Sequence, residues 1–163
     1  MQSTVQVILR EAVIDIDQPV RAALLEKGSA VHYITGEQSV HQAITIMSEK
    51  RVGCLVVFDK EQKLAGIVSE RDYCRKVILM GRDSRGTRVR EIMTEAVITV
   101  RPDQSLRTTM ELMTDQRIRH VPVVEDDAVV GLISIGDVVK WVLGEQRQTI
   151  RDLRDRIATQ ALA

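Results

Sequence analysis

The stretch Gly66-Ile67-Val68-Ser69-Glu70-Arg71-Asp72 returns 65 residues later as Gly131-Leu132-Ile133-Ser134-Ile135-Gly136-Asp137, and this internal copy limits the possible folds more than any other feature. The copying reaches well beyond seven residues. Val31 through Asp59 align with Val97 through Glu125 at an offset of 66, and one residue is then lost between the flanking strands. Identical pairs include Gln38/Gln104, Ser39/Ser105, Met47/Met113, Arg51/Arg117, Val57/Val123, Ser69/Ser134, Asp72/Asp137 and Val77/Val142. A repeat of this size means two similar supersecondary units, each too small to bury its own apolar face and so expected to pack on the other.

Apolar periodicity writes the same order into both copies. In the first, a short strand near 31–34 precedes a helix over about 39–50, which Ser39 and Gln42 open as a capping box. The aliphatic runs Cys54–Phe58 and Leu64–Val68 flank a polar connection and read as a buried hairpin, followed by a helix over about 71–80. The second copy predicts a strand near 97–100, a helix over about 103–116, strands over about 121–124 and 129–133, and a helix over about 136–143. The fold class is α+β, a mixed α/β arrangement of tandem β-α-β-β-α repeats with pseudo-two-fold symmetry. The expected organisation is an N-terminal extension (1–30), a first repeat (31–80), a linker (81–96), a second repeat (97–143) and a helical tail (144–163). In the extension, Asp17-Gln18-Pro19 and Gly28 bracket a short helix over about 18–27. Val5–Leu9 echoes Val89–Met93, suggesting a helical turn ahead of each unit. In the tail, Ile150, Leu153 and Ile157 share one helical face and Asp152 is spaced to pair with Arg156.

A chain of 163 residues buries enough surface to fold as one domain without staples. Lys plus Arg equal Asp plus Glu at 23 each, and Phe58, Trp141, Tyr33 and Tyr73 are the only aromatics. Neither a basic footprint nor stacking platforms are present, which argues against nucleic acid and anionic membranes as partners. Cys54 and Cys74 show no CxxC spacing and no metal-site pattern with His32, His41 or His120, so they read as structural thiols and no metal is expected. No apolar run approaches the ~18 residues of a membrane span, and no signal-peptide core opens the chain. The expected compartment is cytoplasmic.

Ser69-Glu70-Arg71-Asp72 has a plain explanation as a helix cap, in which an acid at the third helical position returns the serine's hydrogen bond. Both copies, however, follow Gly-aliphatic-aliphatic, so each motif lies where a buried strand turns into a helix. Free N–H groups at such a helix start favour anions, and a carboxylate held there can accept both hydroxyls of a ribose. A glycine ahead of the strand leaves room for a flat ring to approach the backbone. Arg71 and Arg75 lie four apart in a locally basic stretch and are candidates to pair with a phosphate. The linker arginines and the N-terminal extension are candidates for the second half of a dinucleotide. His120 has no accompanying nucleophile and orienting acid, and there is no GxGxxG or phosphate-cradling loop, so no catalytic residue is assigned.

The doubled GhhSxxD motif, the β-α-β-β-α repeat and the strand entry Ile118-Arg119-His120-Val121-Pro122-Val123-Val124 resemble the CBS-domain pair, or Bateman module, of the stand-alone bacterial and organellar type. The resemblance implies a non-catalytic regulatory binder of adenosine compounds, with AMP first and NAD(H), ATP and S-adenosylmethionine as further ligands. By the same resemblance Asp72 and Asp137 hold ribose, and Ser69 and Ser134 meet ribose or phosphate. Val52-Gly53-Cys54 and Ile118 to Pro122 frame adenine. Val68 and Ile133 precede the serines, Thr35 serves the Asp137 site and Arg101 the Asp72 site. Val56 stands where the second copy has Pro122, and Gly136 where the first has Arg71, which implies clefts of unequal affinity. A homodimer and an unidentified protein effector are the implied partners.

Overall fold

The computed structural model describes residues 16–161. In chain order the elements are α1 (Val20–Lys27), β1 (Tyr33–Thr35), α2 (Val40–Lys50), β2 (Cys54–Phe58), β3 (Leu64–Ser69) and α3 (Glu70–Tyr73), which runs on into a π-helical turn (Cys74–Ile78). A 3-10 turn (Val89–Glu91), α4 (Leu106–Asp115), β4 (His120–Glu125), β5 (Ala128–Ser134) and α5 (Ile135–Ala161) follow. They form two compact units. One takes the described residues up to Lys27, Asp103–Arg119 and the chain from Ser134 onward; the other takes Gly28–Pro102 and His120–Ile133.

The second of these units holds a three-stranded sheet in the order β1-β2-β3, with β1 parallel and β3 antiparallel to β2. All but the last residue of β2 is buried, as its unbroken aliphatic run requires. The connection to β3 is shaped by Asp59, whose Oδ1 accepts from the amides of Glu61 and Lys63 at 2.8 Å each. Helix α2 begins at the predicted capping box of Ser39 and Gln42 and stops at Arg51 in the left-handed region. It places Val40, Ala43 and Met47 on the sheet side of a core completed by Ile34, Leu55, Val57, Val68, Val77, Val89 and Ile92. β4 and β5 pair as a separate two-stranded sheet.

In the other unit α1 and α4 each pack on α5, and Val20, Ala23, Leu24, Leu106, Thr109, Met113 and Val138 are buried. The α1 helix matches the stretch bracketed by Pro19 and Gly28, the latter at φ +92°. A left-handed residue just past the last turn is a position that glycine fills without a Cβ penalty.

Each repeat's first helix is tied to a segment that precedes the repeat or follows it. The amide of Val40 donates to Thr87 O, and that of Leu106 to Gln18 O, both at 2.9 Å; in return Val89 N reaches Gln38 O at 2.9 Å and Val20 N reaches Gln104 O at 2.8 Å. The counterpart of Arg88-Val89 is therefore Pro19-Val20. The predicted counterpart, Val5–Leu9, lies outside the described residues, as do the side chains of Leu153, Asp152 and Arg156.

Three expectations are corrected. The helix over about 71–80 makes one α turn and then widens to π-helical spacing. The strand near 97–100 reduces to a single parallel bridge between Val100 and Val123. The helix over about 136–143 does not stop at Gly144 but continues to Ala161 as one 27-residue helix. A lone glycine weakens a helix without ending it when the residues on both sides favour helix, and nothing lies within 4 Å of where its Cβ would be.

Candidate functional site

The capping explanation of the motif holds in both copies. Ser69 Oγ accepts from the Asp72 amide at 3.3 Å, and Asp72 Oδ2 accepts from the Ser69 amide at 3.0 Å and its hydroxyl at 2.6 Å. Ser134 and Asp137 repeat this at 3.2, 2.7 and 2.7 Å. The next amide of each helix start is also matched: Glu70 N donates to Gly53 O at 3.1 Å and Ile135 N to Arg119 O at 2.9 Å. The strand-entry backbone is thus joined to the motif helix in each copy, and each cap uses one carboxylate oxygen and leaves the other outside it.

Cations stand at both carboxylates. Asp72 Oδ1 lies 2.9 Å from Lys76 Nζ, which also donates to Ile92 O at 2.6 Å. Asp137 Oδ2 lies 2.5 Å from Lys27 Nζ at the end of α1. Burial pushes the Asp137 carboxyl up, but the hydrogen bonds from Lys27 and Ser134 outweigh this and hold it below the usual aspartate value.

In the unit that holds Asp72, the positions that sequence singled out fall into two kinds. Cys54, Val68, Val121, Pro122 and Ile133 are buried in packed strands. Gly53, by contrast, lies open toward polar groups: a Cβ there would stand 3.4 Å from Glu70 Oε2 and 3.6 Å from His120 Cε1. Val52 adjoins it, half-buried. Thr35 is opposite Phe58, at the far end of the sheet from Ser69, which is opposite Cys54. That separates Thr35 from Asp72, and its amide and hydroxyl both reach Gln38 Oε1, at 3.0 and 3.2 Å. Arg101 is exposed just past the Val100 bridge. In the other unit, Ile118 is half-buried and Arg119 is exposed beside its carbonyl's bond to α5.

Two readings change. Gly66 does not leave room for a ring: a Cβ there would meet Met93 Sδ at 2.8 Å and Thr94 O at 3.0 Å, because Thr94 bridges to Ile67 across that face. Cys74 is exposed at the start of the π turn rather than packed, whereas Cys54 is buried. Of the linker arginines, Arg82 pairs with Glu91 and Arg90 with Glu37, while Arg88 Nη1 donates to the backbone carbonyl of Glu37 at 2.9 Å. Arg71 and Arg75 are both exposed, and their four-residue spacing crosses from α to π geometry.

Lys76 and Lys27 were not singled out as site residues. The i,i+4 spacing of Asp72 and Lys76 was available to find the first; Lys27 is 110 residues from Asp137 and carries no local signal. Among the described residues no group of three or more His, Cys, Asp or Glu side chains is placed to hold a metal, and no helix is long and apolar enough to cross a membrane.

A family model described as CBS domain matches residues 28–78 and again 89–144. Over 125 residues, 74% of this chain, the sequence is 46% identical to a mitochondrial CBS domain-containing protein of Arabidopsis thaliana, of whose length it spans only 61%. Among solved structures it is similar to a candidate signal-transduction protein with CBS domains from Burkholderia ambifaria, with 46% identity, a TM-score of 0.73, and coverage of 78% of this chain and 93% of that one. A hexameric CBS-CP12 protein from bloom-forming cyanobacteria matches at 34% identity and a TM-score of 0.64, covering 68% of this chain and 65% of that one. With a twofold family match across more than half its length, laid over the repeated strand-to-helix motif, the chain belongs to the CBS-domain family.

Proposed function

We propose that this CBS-domain chain is a non-catalytic regulatory module that binds an adenosine compound at Asp72 and Asp137, with AMP as the first ligand and NAD(H), ATP and S-adenosylmethionine as alternatives. The supporting observation is the carboxylate geometry. In both copies one aspartate oxygen is held by a capping box at the start of a helix, which fixes the group while its second oxygen stays outside the cap. A carboxylate so placed suits the paired hydroxyls of a ribose. The polar ring of Gly53, Glu70 and His120 is the proposed adenine-facing edge near Asp72, with Ser69, Arg71, Arg75 and Arg101 toward sugar and phosphate. Ser134 and Arg119 take the corresponding roles for Asp137.

Ligand-dependent signalling requires a second state that the ligand binds differently and a protein that reads it. A homodimer is part of the proposal. Ile78, Leu79 and Met80 in one unit are exposed, as are Val139, Leu143, Ile150 and Ile157 on α5, and such apolar side chains favour association. The proposed compartment is the cytoplasm, which cell fractionation tests directly.

The competing reading is a structural interaction module in which the aspartates serve only as caps, and the capping boxes themselves favour it. Thermal melts with AMP, ADP, ATP, NAD(H) and S-adenosylmethionine, repeated on Asp72→Asn and Asp137→Asn, separate the two. A ligand at ~100 times its Kd adds about 2.7 kcal/mol of stability, or roughly 5–10 °C. A shift that each substitution weakens supports the sensor. No shift with any adenosine compound leaves the structural module, and consumption of the compound points to an enzyme.

A further inference from the structure

The two copies of the motif obtain their cations differently. Asp72 is paired by Lys76, four residues on. The equivalent position in the second copy is Trp141, and Asp137 takes Lys27 from α1 instead. Lys27 is present because α1 runs for 8 residues where its linker counterpart is a 3-residue turn, Val89–Glu91. The segment from Val20 to Val31 is three residues longer than that from Val89 to Val97, and the added turn ends in Lys27.

Lys27, Asp137, Lys140 and Trp141 line a cavity of about 120 Å3 together with Ala23 and Glu26. Lys140 occupies the position of Arg75 in the first copy. Trp141 Nε1 is buried and has no hydrogen-bond partner among the described residues. The lining therefore offers two cationic donors, Lys27 and Lys140, beside the Asp137 carboxylate already held by its cap and the carboxylate of Glu26. Ligand pockets for whole drug-sized molecules run to roughly 300–1,000 Å3, so this one suits a sugar-phosphate fragment better than a complete nucleotide.

We infer that Lys27 determines the specificity of the Asp137 site, selecting ligands that carry an anionic group beside a vicinal diol. This rests on the reading of Asp137 as a sugar-binding group. As the hydroxyls take the carboxylate, the ammonium passes from Asp137 to the ligand's phosphate and keeps a counter-charge throughout. A neutral nucleoside must compete with Lys27 for the carboxylate and supplies no anion in exchange, which penalises it. At the other motif Lys76 donates to the Ile92 carbonyl as well as to Asp72.

Trp141 is the only tryptophan in the chain, so its indole N–H gives a single NMR signal inside the cavity lining. The full chain is titrated with AMP and with adenosine, then as K27M and K27R, with a thermal melt of each variant to check folding. AMP is expected to shift the indole signal and to bind about tenfold or more tightly than adenosine, a gap that K27M narrows to about threefold and K27R preserves. An unchanged AMP-to-adenosine ratio in K27M overturns the role of Lys27 while leaving the adenosine reading intact. If neither compound binds the wild type, ribose 5-phosphate is titrated: an indole shift lost in K27M upholds the site and removes the adenosine reading, and no shift overturns both.

Discussion

Asp72 and Lys76 pair at 2.9 Å within a single stretch of helix, so the first motif carries its own counter-charge, while Asp137 depends on a lysine from a separate helix. The consequence is that the first motif is the more self-contained of the two, and its cap can be tested locally. Ser69→Ala removes the acceptor of the Asp72 amide and is expected to cost about 1 kcal/mol in urea denaturation, with Ser69→Thr largely restoring it. Equal stability of all three proteins would show that the cap contributes nothing.

Gly66 is required by its neighbours rather than by a ligand. Gly66→Ala drives a methyl group toward Met93 Sδ and the Thr94 carbonyl, at 2.8 and 3.0 Å. The expected loss is about 1–3 kcal/mol, the usual range for overpacking. Adding Met93→Ala recovers only part of it, because the Thr94 carbonyl remains; full recovery would assign the whole clash to the methionine.

Asp137 makes stability depend on acid. Its folded carboxyl is held below the ordinary value, whereas an unfolded aspartate titrates near about 3.9, so the unfolded chain takes up the proton first as pH falls. The contribution is complete above about pH 5, declines through the unfolded value, and is gone once the pH passes the folded one. Urea melts across this range should show a shallower acid limb for Asp137→Asn than for wild type, and for Lys27→Met as well. Parallel limbs in all three proteins would remove the Lys27 pair as the cause.

Gly144 interrupts nothing in α5 and a Cβ there meets open space. Gly144→Ala is expected to raise stability by about 0.5–1 kcal/mol and to increase helical ellipticity. A drop in either would mean that the helix bends or breaks at this point in solution.

The elements that sequence alone established are those governed by short-range rules. The offset of 65–66 residues placed the repeat; Ser39 with Gln42 and Ser69 with Asp72 placed two helix starts, because a cap needs only residues three apart. The hairpin of β2 and β3 followed from two aliphatic runs around a polar turn. What remained hidden was every relation between distant segments: Thr94 against Gly66, Pro19-Val20 as the partner of the second repeat, and Lys27 on Asp137. Local pattern states which face of a segment is apolar and where a helix begins, but it does not name the segment that will cover that face. That choice comes from packing summed over many contacts, and only the tertiary structure decided it.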